Sequence, residues 1–407
     1  MILARLAWRN LWRNRRRTLI TISSIAFAVV IAVVMRGFQL GTYDSMIEGT
    51  LRTSSGHVQI QHKDFFDDAS IEHIFDYTPE LQKLTAVNPA IQNQFPRFEN
   101  FALASFESHT KGVPVVGMKP ELEVDALAIQ DKLTQGEYLE PGEDGLLISE
   151  DLARFLQVAL GDSMVLFGQG YHGVTAVGKY PIKGIYDFNY SGQGGGPVFL
   201  NLEQAQDLYG AYGMLSSLSL ILNNKEESEE LQKELLTEFE GSPITALTWK
   251  KLNENLLQSI ELDSVSGLIM IGVLYLVIGF GIFGTLLMMA AERRREFSVM
   301  NSMGMQRRHI VQLVAIETLW LALISVIVGV LISLPINAYF WYNPIEFSGE
   351  TAEMFSEYNV EPVMRMSMEL GYLIDQALVV FLLSTVSLIA PLSLILNLNI
   401  VNALRGR

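Results

Sequence analysis

The 407-residue chain contains no cysteine. Disulfides and cysteine-based zinc, haem and iron–sulfur sites are therefore excluded, and so is a lipobox, which means the chain is not itself expected to be a lipoprotein. Histidine is scarce. The six residues at 57, 62, 73, 109, 172 and 309 include a His57/His62 pair but no H-E-x-x-H or comparable set, so ordinary surface or half-buried histidines are expected rather than a metal site. There is no nucleophile elbow and no dinucleotide fingerprint. One G-x-x-x-x-G-K match, in GVTAVGKY at 173–180, puts Tyr180 where Ser or Thr would hold magnesium; a hairpin turn is the expectation there. A net charge of −15 argues against a nucleic-acid partner.

Charge is also nearly missing from four long runs, near 18–38, 265–291, 310–336 and 377–397, which hold only Arg36 and Glu317. Each is long enough to cross a hydrocarbon core, which takes about 20 helical residues. Four transmembrane helices are expected, one before and three after a large ectodomain. The first run exceeds the apolar length of a signal peptide and lacks an A-x-A-like site, so it reads as an uncleaved anchor.

What flanks these runs is one-sided. The segments 1–17, 292–309 and 398–407 carry thirteen arginines, among them Arg5, Arg9, Arg13, Arg15, Arg16 and Arg17, against only Glu292 and Glu296; the rest of the chain has 16 basic and 42 acidic residues. The positive-inside rule places both termini and the 292–309 loop in the cytoplasm, and the 39–264 and 337–376 segments outside.

The 39–264 segment alternates strand-like and helix-like pieces, which predicts a mixed α+β, two-lobed domain. The outer lobe is expected from 39–107 plus 223–251, and an inserted lobe from about 108–222. Ser149 should cap a helix that places Leu152, Phe155 and Leu156 on one face, and Asn201 and Gly210 should bound another. Helices are expected to continue from the spans into the ectodomain over 36–52 and 249–266. YSGQGGGP, at 190–197, reads as a flexible loop.

Between Glu292 and Met303 there is no Gly or Pro. Phe297, Met300 and Gly304 fall at i, i+3 and i+7, which gives a short helix with one apolar stripe, ended by Gly304. Two readings stay open: a hairpin whose charges only fix orientation, or a docking helix presenting Phe297 and Met300 to a soluble partner. Within the runs, Glu317 lies about 10 Å into the third helix when counted from Ile310; a carboxylate there is either functional, or neutral or solvated. Ser325, Gly329 and Ser333 make a small-residue ridge, and Gly279, Gly281 and Gly284 thin the second helix. These faces could serve packing within one protomer or pairing between two.

The pattern ER-x-x-E-F-x6-G from Glu292 to Gly304, then Arg307-Arg308 and Glu317-Thr318-Leu319, resembles the FtsX/MacB/LolC–LolE class of ABC permeases, the mechanotransmission type. LAWRNLWRNRRRTLITI, SGHVQI, LLISEDLARFLQVALGD, KGIYDF, NLEQAQDLYG and LTWKKLNENL are similar to that class in the same order. The resemblance implies that Glu292, Arg293, Arg295, Glu296, Phe297, Met300 and Gly304 belong to a coupling helix resting on a separate cytoplasmic ATPase. That ATPase would bind ATP and Mg, so the chain would carry no cofactor and would not itself be an enzyme. It further implies a second permease protomer, identical or paralogous, and a bacterial inner-membrane location. Movement of the coupling helices would lever the ectodomains.

Layout is similar to the LolC/LolE lipoprotein-releasing branch, which implies a lipoprotein or other lipid-linked cargo and a periplasmic acceptor. Residues 167–175 are short and proline-free where LolC-type proteins carry a hairpin insert, which implies the LolE type or a relative that uses another acceptor. In that reading 190–197 and the acidic 343–370 loop are the suspected partner contacts. A MacB-like efflux permease, an FtsX-like regulator of a cell-wall hydrolase and an anchored binding domain without an ATPase are the alternatives.

Overall fold

The structure, a computed structural model, describes all residues except 1, 14, 128, 188–195, 348, 350–362 and 397–407. Most of the 190–197 loop, the centre of the acidic 343–370 loop and the arginines of the C-terminal tail thus lie outside the described residues.

The chain opens with helix α1 (Ile2–Arg13) and helix α2 (Arg15–Thr50). With no proline and an apolar run from Thr18, nothing interrupts α2 for 36 residues. At 1.5 Å per residue that is about 54 Å, well beyond a hydrocarbon core of about 30 Å. It ends in a π-helical turn, Leu51–Ser55, in which the Gly56 amide reaches back to the Leu51 carbonyl at 3.0 Å. Gly56 has φ +61°, which favours glycine, and a β-carbon there would also meet the Leu220 carbonyl oxygen at 2.8 Å.

Residues 45–259 form a compact unit on a ten-stranded sheet. The strands are β1 (Val58–His62), β2 (Ile91–Phe106), β3 (His109–Met118), β4 (Leu133–Gly136), β5 (Leu146–Ser149), β6 (Ser163–Gln169), β7 (Thr175–Tyr186), β8 (Val198–Asn201), β9 (Ser217–Leu222) and β10 (Ile244–Thr248). Their order is β10-β1-β9-β2-β3-β8-β5-β7-β4, with β6 pairing both β2 and β7. Helices α3 (Pro120–Leu127), α4 (Glu150–Leu156), α5 (Leu202–Tyr209) and α6 (Ser228–Glu238) accompany the sheet.

Several local expectations need correction. Ser217–Leu222, grouped by the sequence with the inserted lobe, lies between β1 and β2, because Leu218, Leu220 and Leu222 turn inward at antiparallel register with Val58 and Ile60. One apolar cluster holds Val58, Ile60 and Leu220 together with Leu146, Ile148 and Leu152, so the two expected lobes share a core. Ser149 does cap α4, accepting the Leu152 amide at 3.2 Å. Phe155, however, is 49% exposed beneath the Lys111 ammonium, and Ala153 takes the inward position beside Leu152 and Leu156. Asn201 stands at the N-cap of α5 without capping, because its amide group donates to the carbonyls of Glu140 and Glu143 instead. GVTAVGKY is mostly strand. Its turn is over by Val174, and Ala176, Gly178 and Tyr180 pair with Gly168, Leu166 and Met164. The helix expected from Trp249 breaks at Asn253, whose side chain is drawn to the Trp249 carbonyl and the Ser55 hydroxyl.

The C-terminal part contributes α7 (Glu254–Glu292), α8 (Arg294–Ser302), α9 (Arg307–Tyr342), α10 (Gly371–Val386) and α11 (Ile389–Leu396). Among the described residues, four helices are long and apolar enough to span a membrane: α2, α7, α9, and a fourth covering 371–393. The fourth begins six residues earlier than its apolar run and turns at Ser387-Leu388. Pro391, lacking an N–H for the carbonyl four residues back, accounts for that turn. The spans pack around Ile25, Val29 and Val33 of α2, Ile282 and Leu286 of α7, Leu321 and Val326 of α9 and Val380 of α10. The small-residue ridge of α9 is used within this unit. At Gly329 a β-carbon would approach Val29 Cβ at 2.7 Å and the Ala26 carbonyl at 2.9 Å, while the hydroxyls of Ser325 and Ser333 donate to carbonyls of their own helix. Gly279, Gly281 and Gly284 of α7 have open space instead.

A second glycine pair, Gly37 and Gly41 at i, i+4, forms a shelf on α2 for the extended segment before α10. The Ser367 amide donates to the Gly37 carbonyl at 2.9 Å, and a β-carbon at Gly41 would overlap the Arg365 carbonyl.

Candidate coupling site in the 292–309 hairpin

Between α7 and α9 the chain makes one short helix. Arg293 sits at its N-cap, and it closes in a Schellman pattern: the Gly304 amide bonds the Asn301 carbonyl at 3.0 Å and the Met305 amide bonds the Met300 carbonyl at 3.1 Å. Gly304 has φ +94°, the conformation the pattern needs and one that favours glycine.

The apolar stripe faces into the protein, away from the direction that the docking-helix reading gave it. Phe297 is 2% exposed and packs with Ile310 and Val314 of α9 and Ile395 of α11, with Met300 at the edge of the same cluster. Burial follows because α9 folds back directly behind α8 and offers an apolar face at that level. The side chains of α8 that reach solvent include Val299, at 42% exposure, with Arg294, Arg295, Glu296 and Ser302, and Met303 at its C-cap is 76% exposed. Phe297 is therefore an anchor of the hairpin and not a presented contact.

The charges are organised around Arg293. Its Nη1 donates to both carboxylate oxygens of Glu317, each at 2.7 Å, its Nε donates to Glu296 at 3.1 Å, and its guanidinium lies over the Phe297 ring. Arg293 and Glu317 are both buried. Glu296 also accepts from Arg13 of α1 at 2.8 Å, and Glu292 pairs with Arg17 at the start of α2. Exposed pairs such as Arg13–Glu296 are worth about 0–1 kcal/mol. Removing one partner of a buried pair costs about 3–5 kcal/mol, so Arg293–Glu317 dominates the local electrostatics. Both oxygens of Glu317 are thus held on one arginine nitrogen, which supplies the compensation a lone buried carboxylate would lack.

A groove of about 400 Å³ lies between α1 and α8, lined by Asn10, Arg13, Arg295, Glu296, Val299 and Met300. Of the residues singled out from the sequence, Glu292, Arg293, Glu296, Phe297, Met300, Gly304 and Glu317 come together here, and Arg295 lines the groove. Gly281, Gly284, Ser325, Gly329 and Ser333 lie elsewhere along the spans. Arg13 and Arg17, which charge counting used only for orientation, are the ones that sequence reasoning missed. Their i, i+4 spacing gave no sign of partners some 280 residues away.

Two family models match this chain. The FtsX-like permease C-terminal model covers residues 268–400, and the MacB-like periplasmic core domain covers residues 18–238. Among curated proteins, the lipoprotein-releasing system transmembrane protein LolC of Xylella fastidiosa strain Temecula1 is 22% identical over 324 residues, 76% of this chain and 74% of that protein. An uncharacterized ABC transporter permease of Methanocaldococcus jannaschii is 23% identical over 160 residues, 38% of this chain and 40% of that protein. Among solved structures, the periplasmic region of MacB from Actinobacillus actinomycetemcomitans matches 53% of this chain and 98% of its own, at 13% identity and a TM-score of 0.37. The extracellular domain of the transporter YknZ from Gram-positive bacteria matches 47% and 99%, at 12% identity and a TM-score of 0.35. With one family model spanning more than half its length and the second covering the three C-terminal helices, the chain belongs to the FtsX/MacB/LolC family of ABC transporter permeases, multi-pass membrane proteins with a periplasmic domain.

Proposed function

We propose that this permease works with a separate cytoplasmic ATPase docked on α8, and that it uses ATP hydrolysis there to move its periplasmic domain and extract lipoproteins from the bacterial inner membrane. ATP and Mg would be held by the ATPase, and both termini of the permease would be cytoplasmic. The observation that carries the reading is the buried Arg293–Glu317 pair, which ties the root of α8 to α9. Force applied to α8 reaches α9 through that pair and through Phe297, and reaches α1 and α2 through Arg13–Glu296 and Arg17–Glu292. Stiff helices then carry it: α2 and α7, at 36 and 39 residues, each exceed the membrane core by about 20 Å or more.

The open flank of α7 supports a second permease protomer. Leu276, Phe280 and Phe283 are exposed beside Gly279, Gly281 and Gly284, none of which has a neighbour within 4 Å. Such a surface suits close helix contact in a bilayer. Lipoprotein as cargo rests on the likeness to LolC proteins, and at 22% identity that likeness does not distinguish the LolC type from the LolE type.

The test is affinity purification of the full-length protein from native membranes in mild detergent, with mass spectrometry of what is retained. An ATPase together with a lipoprotein or a paralogous permease is the expected result. An ATPase with a periplasmic adaptor would reassign the cargo to efflux. Absence of any ATPase would overturn the transporter reading.

A further inference from the structure

We propose that α1 is an interfacial helix that binds anionic phospholipid headgroups beside the coupling hairpin. The proposal rests on the membrane-spanning assignment and needs neither the ATPase nor the cargo.

The level of the membrane surface can be read from α9. Trp320, about 20 Å into α9 from Arg307, and Phe340, near its far end, are twenty residues apart, about 30 Å along a helix, which is the thickness of a hydrocarbon core. At the far end Phe340 packs edgewise against Phe38 of α2 and Tyr339, forming one aromatic belt. At the near end the Trp320 ring lies 5.6 Å from Trp8 of α1, which in turn lies 6.1 Å from Trp12, forming the other. Trp and Tyr favour the two interfaces. Glu317, one turn before Trp320, then stands at the boundary of the core rather than deep within it.

At that belt α1 shows three faces. Ala7 and Leu11 are buried, Trp8 and Trp12 stand beside them half-exposed, and Arg5 and Arg9 continue round the helix, exposed. Apolar body, tryptophan shoulder and arginine flank are the order an interfacial helix requires. Arg13, next on the same flank, is engaged by Glu296, whereas among the described residues no ion pair is formed by Arg5 or Arg9, nor by Arg16 at the head of α2. Cations held at headgroup level with no protein counter-charge fit the phosphates of anionic lipids. Because Arg13 lies one turn beyond Arg9, lipid bound on this flank would bear on the same helix that contacts α8.

Tryptophan quenching by brominated lipids tests this. Of five tryptophans, Trp249 and Trp341 are replaced by phenylalanine, leaving Trp8, Trp12 and Trp320 as reporters of the near belt. The full-length protein is placed in vesicles of equal phosphatidylcholine and phosphatidylglycerol content, with bromine on one lipid or the other. Bromine on phosphatidylglycerol should quench about twofold more strongly. Arg5→Gln combined with Arg9→Gln should bring the two lipids to parity, and Arg5→Lys with Arg9→Lys should keep the excess. Parity in the parent protein, no quenching by either lipid, or an excess that survives the double glutamine variant would overturn the proposal. So would parity accompanied by loss of ATPase retention in that variant, which would give the arginine flank to the ATPase.

Discussion

Both carboxylate oxygens of Glu317 accept from Nη1 of Arg293, each at 2.7 Å, and neither side chain has appreciable access to solvent. A pair of this kind contributes little over two apolar residues of the same volume but is costly to break. That asymmetry separates a structural from a coupling role. Glu317→Gln takes the buried counter-charge from Arg293, leaving it only the exposed Glu296, and should cost about 3–5 kcal/mol, seen as a lower unfolding temperature in detergent. Arg293→Met combined with Glu317→Leu should recover that stability. If the pair transmits force, the double variant stays stable yet shows ATP turnover uncoupled from transport; wild-type coupling in it would reduce the pair to packing.

Phe297 of α8 is buried, whereas Met303 at the C-cap of that helix is 76% exposed. Met303→Asp should weaken retention of the ATPase without moving the unfolding temperature. Phe297→Asp would bury a charge among Ile310, Val314 and Ile395, and should lower both. Co-purification and thermal unfolding of the two variants side by side are the check. Full ATPase retention in Met303→Asp would remove this face from the docking surface.

How much of this was legible in sequence depends on how far apart the partners lie. The spans followed from uncharged runs, and the close of α8 followed from Gly304, since both are local signals. The i, i+3, i+7 stripe through Phe297 correctly marked a helix face, but a stripe does not say what covers it. The cover here includes Ile395, 98 residues on. Glu317 stood out as an acid in an apolar run, while Arg293 was one of three consecutive arginines, and only the return of α9 selects it. Ser217–Leu222 shows the same limit in the periplasmic domain: its alternation announced a strand but not which neighbours it would join.

The Gly37–Gly41 shelf offers a contrast within the membrane unit. Gly41→Val should collide with the backbone at Arg365 and destabilise by about 1–3 kcal/mol, because a backbone carbonyl cannot move aside as a side chain can. Gly281→Ala meets open space and should be neutral or stabilising by up to about 1 kcal/mol through helix propensity. If Gly281→Ala instead lowers dimer content in crosslinking while leaving the monomer's unfolding temperature intact, the open flank of α7 is the protomer contact.

His57 gives the periplasmic domain a pH dependence of predictable sign. Its Nδ1 accepts the Leu222 amide at 3.0 Å, joining the start of β1 to the end of β9. Burial, reinforced by the nearby Lys225, holds the imidazole below its usual range, with Glu48 opposing weakly. The folded state therefore keeps His57 neutral while the unfolded chain takes up a proton near pH 6.5. Stability from this group is full above that point and drains away as the pH falls from about 6.5 through the lowered folded value. Protonation would also place an N–H against the Leu222 amide, so the loss should be local to that junction. Hydrogen exchange at the Leu222 amide should accelerate, relative to amides in β3, as the pH drops from about 7.5 to about 5.5, after correction for intrinsic exchange rates. His57→Gln, which keeps an acceptor but does not titrate, should flatten that dependence. An equal slope in the glutamine variant would assign the effect to another group.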